Sequence, residues 1–457
     1  MAGVVRARQL HNLYASILSC PVLAIFLLAL AVRLVVAVIS NTLQDGVLIP
    51  DEMSYIRIAD LGSTGDLGLV PTQRCLEFAV ADGTQYYCGY WRGLFASTRT
   101  FSWPLTALFW MFGPHRILGQ FLAGLAGAVA AAITGRLAME FLREPFGIGA
   151  GTVVALLPSQ VLYSSVALRE STIWLLLAGV GVVVSLSKRH ANSGGVLLSS
   201  LGLGVLFVLL AWLRLQTAVL ALWCAVPVFV MVGRNRVLRV LCAAGLVLIG
   251  PMLVGAGPAA SGLVGGSLDR LGYSRDVMSA GAVTAFDYPQ GSSEVGQVSG
   301  SSEVGQAGVL SIIERGAEGE SLIDSVLIVP SGLYNTMIRP VIWSKTDLQR
   351  TSVGHLLATL ESPLWVVGYL FAGFGAYSLF LRREMSFAAF PLLFTFGIAF
   401  SGAVTHGNLG TAFRHRGQIV FALAVLAAAG VQAVSDGRKR SGGHNGDNRM
   451  EQLDGIS

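Results

Sequence analysis

The chain has 457 residues, of which 53% are apolar and 12% charged, with a mean hydropathy of +0.65. A charge density about half that of an ordinary soluble domain excludes a soluble globular protein. The net charge of +5 comes from 31 basic against 26 acidic side chains, a balance that gives no reason to expect a nucleic-acid partner.

Long apolar runs recur along the whole chain and predict an all-α polytopic membrane protein. The first, Ser16–Ser40, follows Arg6 and Arg8 as a signal peptide would. It runs for about 25 residues without a clear small-residue cleavage site, however, and reads as a retained first span. Starting inside and alternating, about ten spans fall near 16–40, 116–139, 147–165, 168–186, 196–214, 216–233, 238–257, 355–380, 387–404 and 416–434. The short inner segments then carry Arg6 and Arg8, Arg136 and Arg143, Lys188 and Arg189, Arg234, Arg236 and Arg239, Arg382 and Arg383, and Arg438, Lys439 and Arg440. By the positive-inside rule both termini are cytoplasmic. The chain divides into an N-terminal transmembrane module, 1–257, with a first outer loop at 41–115, and an extracytoplasmic loop at 258–354. C-terminal spans at 355–434 and a cytoplasmic tail at 435–457 follow.

The first outer loop holds two short helices. One begins at Asp51-Glu52, where acidic residues suit a helix start, and continues through Tyr55 to Ala59. The other, Phe101–Phe112, is too short to span and suits the membrane interface, with Trp103 and Trp110 at headgroup level. Cys75 and Cys88 share this loop on the oxidising side and form a disulfide candidate, whose closure is worth about 3 kcal/mol in the chain-entropy picture. In the second outer loop Gly291-Ser-Ser-Glu-Val-Gly-Gln297 repeats as Gly300-Ser-Ser-Glu-Val-Gly-Gln306. Two Gly/Ser-rich copies cannot stack a core, so the region 291–306 reads as a flexible loop without a site.

Asp51 and Glu52 lie just past the outer end of the first span, either as a solvated helix start or as chemistry. Asp51 and Tyr55, four apart, share a helix face, which lets the tyrosine orient the carboxylate. A carboxylate at the outer membrane surface suits transfer of a sugar carried on a lipid phosphate. The departing phosphate needs charge stabilisation rather than protonation, so one general base on the acceptor is enough. The complementary cations are Arg169, beside Glu170, then Arg214, Arg339, Lys345, Arg414 and Arg416, all placed at outer span ends against the positive-inside bias. For Arg169 a local pair with Glu170, or snorkelling to the headgroups, is the simpler reading. Gly407, Asn408 and Gly410 favour an extended turn, in which Arg414 and Arg416 lie on one side and clamp one phosphate; in a helix they would point about 200° apart. His406 and His415 lack cysteine neighbours and form no zinc signature. A magnesium or manganese site on Asp51 and Glu52 would need further oxygen ligands, so the metal question stays open, and no Walker-type motif is present.

At these residues the chain resembles the GT-C class of integral-membrane glycosyltransferases, in particular bacterial relatives of protein O-mannosyltransferases and the lipid A aminoarabinose transferase. The resemblance rests on the outer acidic pair with Tyr55, the run Phe101-Ser-Trp-Pro-Leu-Thr-Ala-Leu-Phe-Trp-Met-Phe-Gly113, Ala155-Leu-Leu-Pro-Ser-Gln-Val-Leu-Tyr163 and Ala167-Leu-Arg-Glu-Ser-Thr172. Ile338-Arg-Pro-Val-Ile-Trp343 and Gly407-Asn-Leu-Gly-Thr-Ala-Phe-Arg-His-Arg416 are looser matches. The resemblance implies a GT-C-like fold in a bacterial inner membrane with its active site facing outside. It also implies a polyprenyl-phosphate sugar donor and an extracytoplasmic glycan, lipid or protein acceptor, with Asp51 or Glu52 as the catalytic or acceptor-binding acid. The chain departs from the better known members in lacking a sizeable C-terminal soluble domain. A polymerase or ligase of lipid-linked glycans is the nearer alternative. A flippase or transporter is the further one, because transporters show broken spans and intramembrane charge, and here Arg33 is almost the only charge well inside a span.

Overall fold

The computed structural model describes residues 20–42, 49, 51–67, 88–188, 192–231, 235–253, 322–341, 353–405 and 409–451. The 291–306 repeat, Lys345, Cys75 and the Cys88 side chain lie outside the described residues, and with them the disulfide candidate.

Every described element is helical. The first span is α1 (Pro21–Thr42), and the first outer loop contributes α2 (Asp51–Ser63), α3 (Cys88–Ser97) and α4 (Arg99–Phe112). Then come α5 (Arg116–Met139), α6 (Glu144–Leu156), α7 (Pro158–Ser164), α8 (Glu170–Ser187), α9 (Ser193–Ala211), α10 (Leu215–Met231) and α11 (Arg236–Leu253). The C-terminal part is α12 (Leu322–Met337), α13 (Val353–Leu381), α14 (Met385–Thr405), α15 (Leu409–Arg416), a 3₁₀ turn (Gly417–Ile419) and α16 (Val420–Glu451). Among the described residues six helices are long and apolar enough to cross a membrane, or seven when α6 and α7 are taken as one bent span. Helices overlap the ten segments predicted to span, but at most seven of these segments hold a helix or bent pair long and apolar enough to cross among the described residues, and α10 and the apolar part of α14 are shorter apolar helices. The chain is an all-α, multi-pass protein of the kind that a bilayer surrounds.

Composition decides which helices sit in the middle. The small residues of α5, including Ala123, Gly127, Ala128, Ala131 and Gly135, let α1, α6 and α8 approach its backbone closely. Together α5, α8 and α16 form the buried centre, whereas α1 and α13 turn leucine and valine rows outward, Val35, Val38, Leu364 and Leu370 among them. In lipid such exposed rows are the expected outer face.

Three local expectations are corrected. The third predicted span, 147–165, is broken by a 54° bend at Leu157–Pro158, because Pro158 has no N–H to continue the ladder. The segment 258–354 contains an unpredicted helix, α12, whose apolar side chains pack it on α14 and α15. Residues 409–416 are a helix, not an extended turn: buried Phe413 packs near Tyr163, and Gly410 falls in the first turn, where it does no harm.

Candidate functional site

Successive residues on a helix point about 100° apart, and the first two positions of α2 divide accordingly. The Asp51 side chain is 53% exposed and pairs with the Arg414 guanidinium. Glu52 turns inward and is fully buried. Its Oε2 meets Arg116 Nη2 at 2.5 Å, and its Oε1 accepts from Gln120 Nε2 and from the Ala167 N–H, both at 3.0 Å. With three donors on its two oxygens, Glu52 ties α2 to α5 and to the loop after α7. Sequence reasoning nominated neither Arg116 nor Gln120, because both fall in the first turns of an ordinary apolar span.

Tyr55, one turn on, lies edge-on to Phe101 of α4 with ring centres 5.6 Å apart. Its charged neighbours are Arg169, Glu170, Arg214 and Asp51; burial outweighs them and raises the phenol above its ordinary value. Tyr55 therefore stays a protonated phenol near neutral pH.

Arg169 and Glu170 do not form the local pair. Arg169 Nη1 donates to the Leu213 carbonyl at 2.7 Å, and Glu170, at the head of α8, faces Arg214 Nη2 at 3.6 Å. Glu170 Oε2, Arg169 Nε and Arg214 Nη1 are buried without hydrogen-bond partners. Buried polar atoms of this kind ask for a ligand or an ordered water. Arg414 joins the group from α15, with its guanidinium 5.8 Å from the centre of the Tyr163 ring and Glu170 among its charged neighbours. Asp51, Tyr55, Arg169, Glu170, Arg214 and Arg414 thus gather at one end of the bundle around Tyr163, which sequence reasoning did not single out. Three guanidinium groups face two carboxylates there, an excess of one positive charge.

Arg416 goes elsewhere. As the helical geometry of α15 requires, it points away from Arg414, is fully buried between the rings of Trp365 (4.4 Å) and Phe413 (4.6 Å), and donates to the carbonyls of Met337 and Arg339. It caps the C-terminal end of α12, so the expected two-arginine clamp does not form. Arg339 contributes its carbonyl to that cap and sets its guanidinium towards Asn335 at 3.5 Å.

No group of three His, Cys, Asp or Glu side chains among the described residues can hold a metal ion. The two acids expected to contribute face Arg414 and Arg116 instead. Comparisons with family models, curated proteins and solved structures find no match for this chain.

Proposed function

We propose that the chain is a membrane glycosyltransferase of GT-C type that moves a sugar from a polyprenyl-phosphate donor to an acceptor on the outer side of a bacterial inner membrane. One observation carries the reading: an exposed carboxylate, Asp51, stands beside Arg414 at the same bundle end as Arg169 and Arg214, whose unused N–H groups suit phosphate oxygens. Asp51 takes the proton of the acceptor hydroxyl as that oxygen bonds to the sugar's anomeric carbon. The bond from that carbon to the phosphate oxygen breaks, and the phosphate leaves with the electron pair, which Arg414, Arg214 and Arg169 stabilise. Glu52 holds α2 in place from behind.

The broken span α6–α7 and the charges Arg33 of α1 and Glu361 of α13 inside apolar runs are features of transporters and favour a transport reading more than the sequence did. Both buried charges are engaged with protein groups, however, which weighs against their facing a solute. The reading is tested by incubating the purified protein in nanodiscs with polyprenyl-phosphate sugars and following loss of the sugar from the lipid. Consumption by the wild type and none by Asp51→Asn supports transfer. Uptake of the intact lipid-linked sugar without bond cleavage assigns the chain to transport.

A further inference from the structure

The break between α6 and α7 leaves backbone groups to be satisfied inside a membrane protein, where each unpaired group costs several kcal/mol. Pro158 has no N–H for the Val154 carbonyl. The Ser159 N–H, which would serve Ala155 in a continuous helix, points elsewhere. Two side chains far apart in sequence supply the missing partners. Arg33 of α1, fully buried, donates from Nη2 to the Val154 carbonyl at 3.3 Å and from Nη1 to the Ala155 carbonyl at 3.0 Å; its Nε reaches Ser164 Oγ at 2.7 Å. Glu361 of α13, also buried, accepts the Ser159 N–H at 2.7 Å, the Ser159 hydroxyl at 2.8 Å and Trp365 Nε1 at 2.7 Å. The cation sits at the carbonyl end of α6 and the anion at the amide end of α7, each where the helix dipole favours it.

The half-helix fixed in this way, with the loop that follows it, reaches the candidate site once and two of its supports. Tyr163 lies under the Arg414 guanidinium, Gln160 Nε2 donates to the Gly417 carbonyl at 3.3 Å, and the Ala167 N–H just beyond α7 donates to Glu52. We infer that Arg33 and Glu361 are positioning residues: they hold α7 in its bent course, and through Tyr163 and Ala167 they set Arg414, and α2 with Asp51, in register. The geometry stands by itself; its consequence for transfer rests on the function proposed above.

The test uses the full-length protein in nanodiscs. Hydrogen exchange of the segment 157–168 should speed up by about tenfold or more in Arg33→Gln and in Glu361→Gln, as expected for loss of hydrogen bonds to charged groups, with α5 and α8 unchanged. Unaltered exchange, or an increase spread evenly over the bundle, overturns the inference. Should those variants fail to fold, Gly127→Ala should give the same speed-up over 157–168 with both charges intact and α8 as the unchanged reference, since its methyl would lie 2.7 Å from Arg33 Nε and 2.7 Å from Ser164 Cβ. A second arm adds Pro158→Ala to Arg33→Gln, returning an N–H to the Val154 carbonyl. Thermal stability should recover while sugar transfer stays low, because a straightened helix withdraws Tyr163; recovery of both together overturns the positioning role. A wild type inactive on polyprenyl-phosphate sugars removes the transferase reading alone and leaves the exchange arm to decide about α7.

Discussion

Asp51 and Glu52 are adjacent acids with opposite surroundings, and substitution should separate them. Asp51→Asn keeps the side-chain volume at an exposed position, so folding should be unaffected. Sugar transfer should fall by about 10²–10⁴-fold while a polyprenyl-phosphate donor still binds, the range typical for a general base. Near-normal transfer in that variant would remove the main residue-level support for the function. Glu52 should act on stability instead. Glu52→Ala leaves the partly covered Arg116 facing an empty pocket, a loss of about 3–5 kcal/mol where one partner of a buried pair is removed. Adding Arg116→Ala should cost much less than a second loss of that size, and thermal denaturation of the two single variants and the double variant measures the difference. The sequence shows that the two acids point apart, because that follows from helix periodicity alone. Which of them faces inward depends on Arg116, Gln120 and Ala167, partners 64 to 115 residues away that no local pattern reveals.

At the scale of elements, the ordinary spans were legible from apolar run length, and the irregular pieces were not. The bend at Pro158 was only half visible: proline signals a break, but a break inside a membrane needs Arg33 and Glu361 to complete it, and these come from α1 and α13. Glu361 does carry a signal in the sequence, an acid inside an apolar run. Helix α12 is hidden in the sequence because its segment also holds the Gly/Ser repeat, whose composition reads as loop. The packing of α13 on α16 gives a sharp prediction. These helices approach so closely that a Cβ on Gly375 would fall 1.9 Å from the Leu426 carbonyl oxygen, and one on Gly430 would fall 2.1 Å from that of Phe371. Backbone cannot yield as a flexible side chain does, so Gly375→Ala should destabilise the protein by about 1–3 kcal/mol, the usual cost of overpacking. Gly373→Ala is the control, since a Cβ there meets nothing within 4 Å. It should be neutral or slightly stabilising, as alanine is the better helix former by about 1 kcal/mol. Heating followed by size-exclusion chromatography distinguishes the two variants.

For the whole molecule, the function depends on which end of the bundle faces out. The expected orientation rests on the arginine distribution: Arg143 and Arg382 both pair with Asp436 at the end opposite to Asp51 and Arg414, and Arg136, Arg236 and Arg438 fall in the same set of short segments. The lateral order of the helices could not be read in the same way, because lipid tails and neighbouring helices are equally apolar and hydropathy does not tell one face from another. Orientation is tested at two exposed positions in a background without native cysteines. Ser97, the last residue of α3, is exposed at the Asp51 end, and Gly437, next to Asp436 in α16, lies in open space. A maleimide that cannot cross the membrane should label Ser97→Cys in intact cells and should reach Gly437→Cys only after permeabilisation. The reverse pattern would place Asp51, Arg169, Arg214 and Arg414 in the cytoplasm. An acid and arginines on that side would have no access to an acceptor outside the cell, and the proposed transfer would have to be abandoned even if every contact described above were correct.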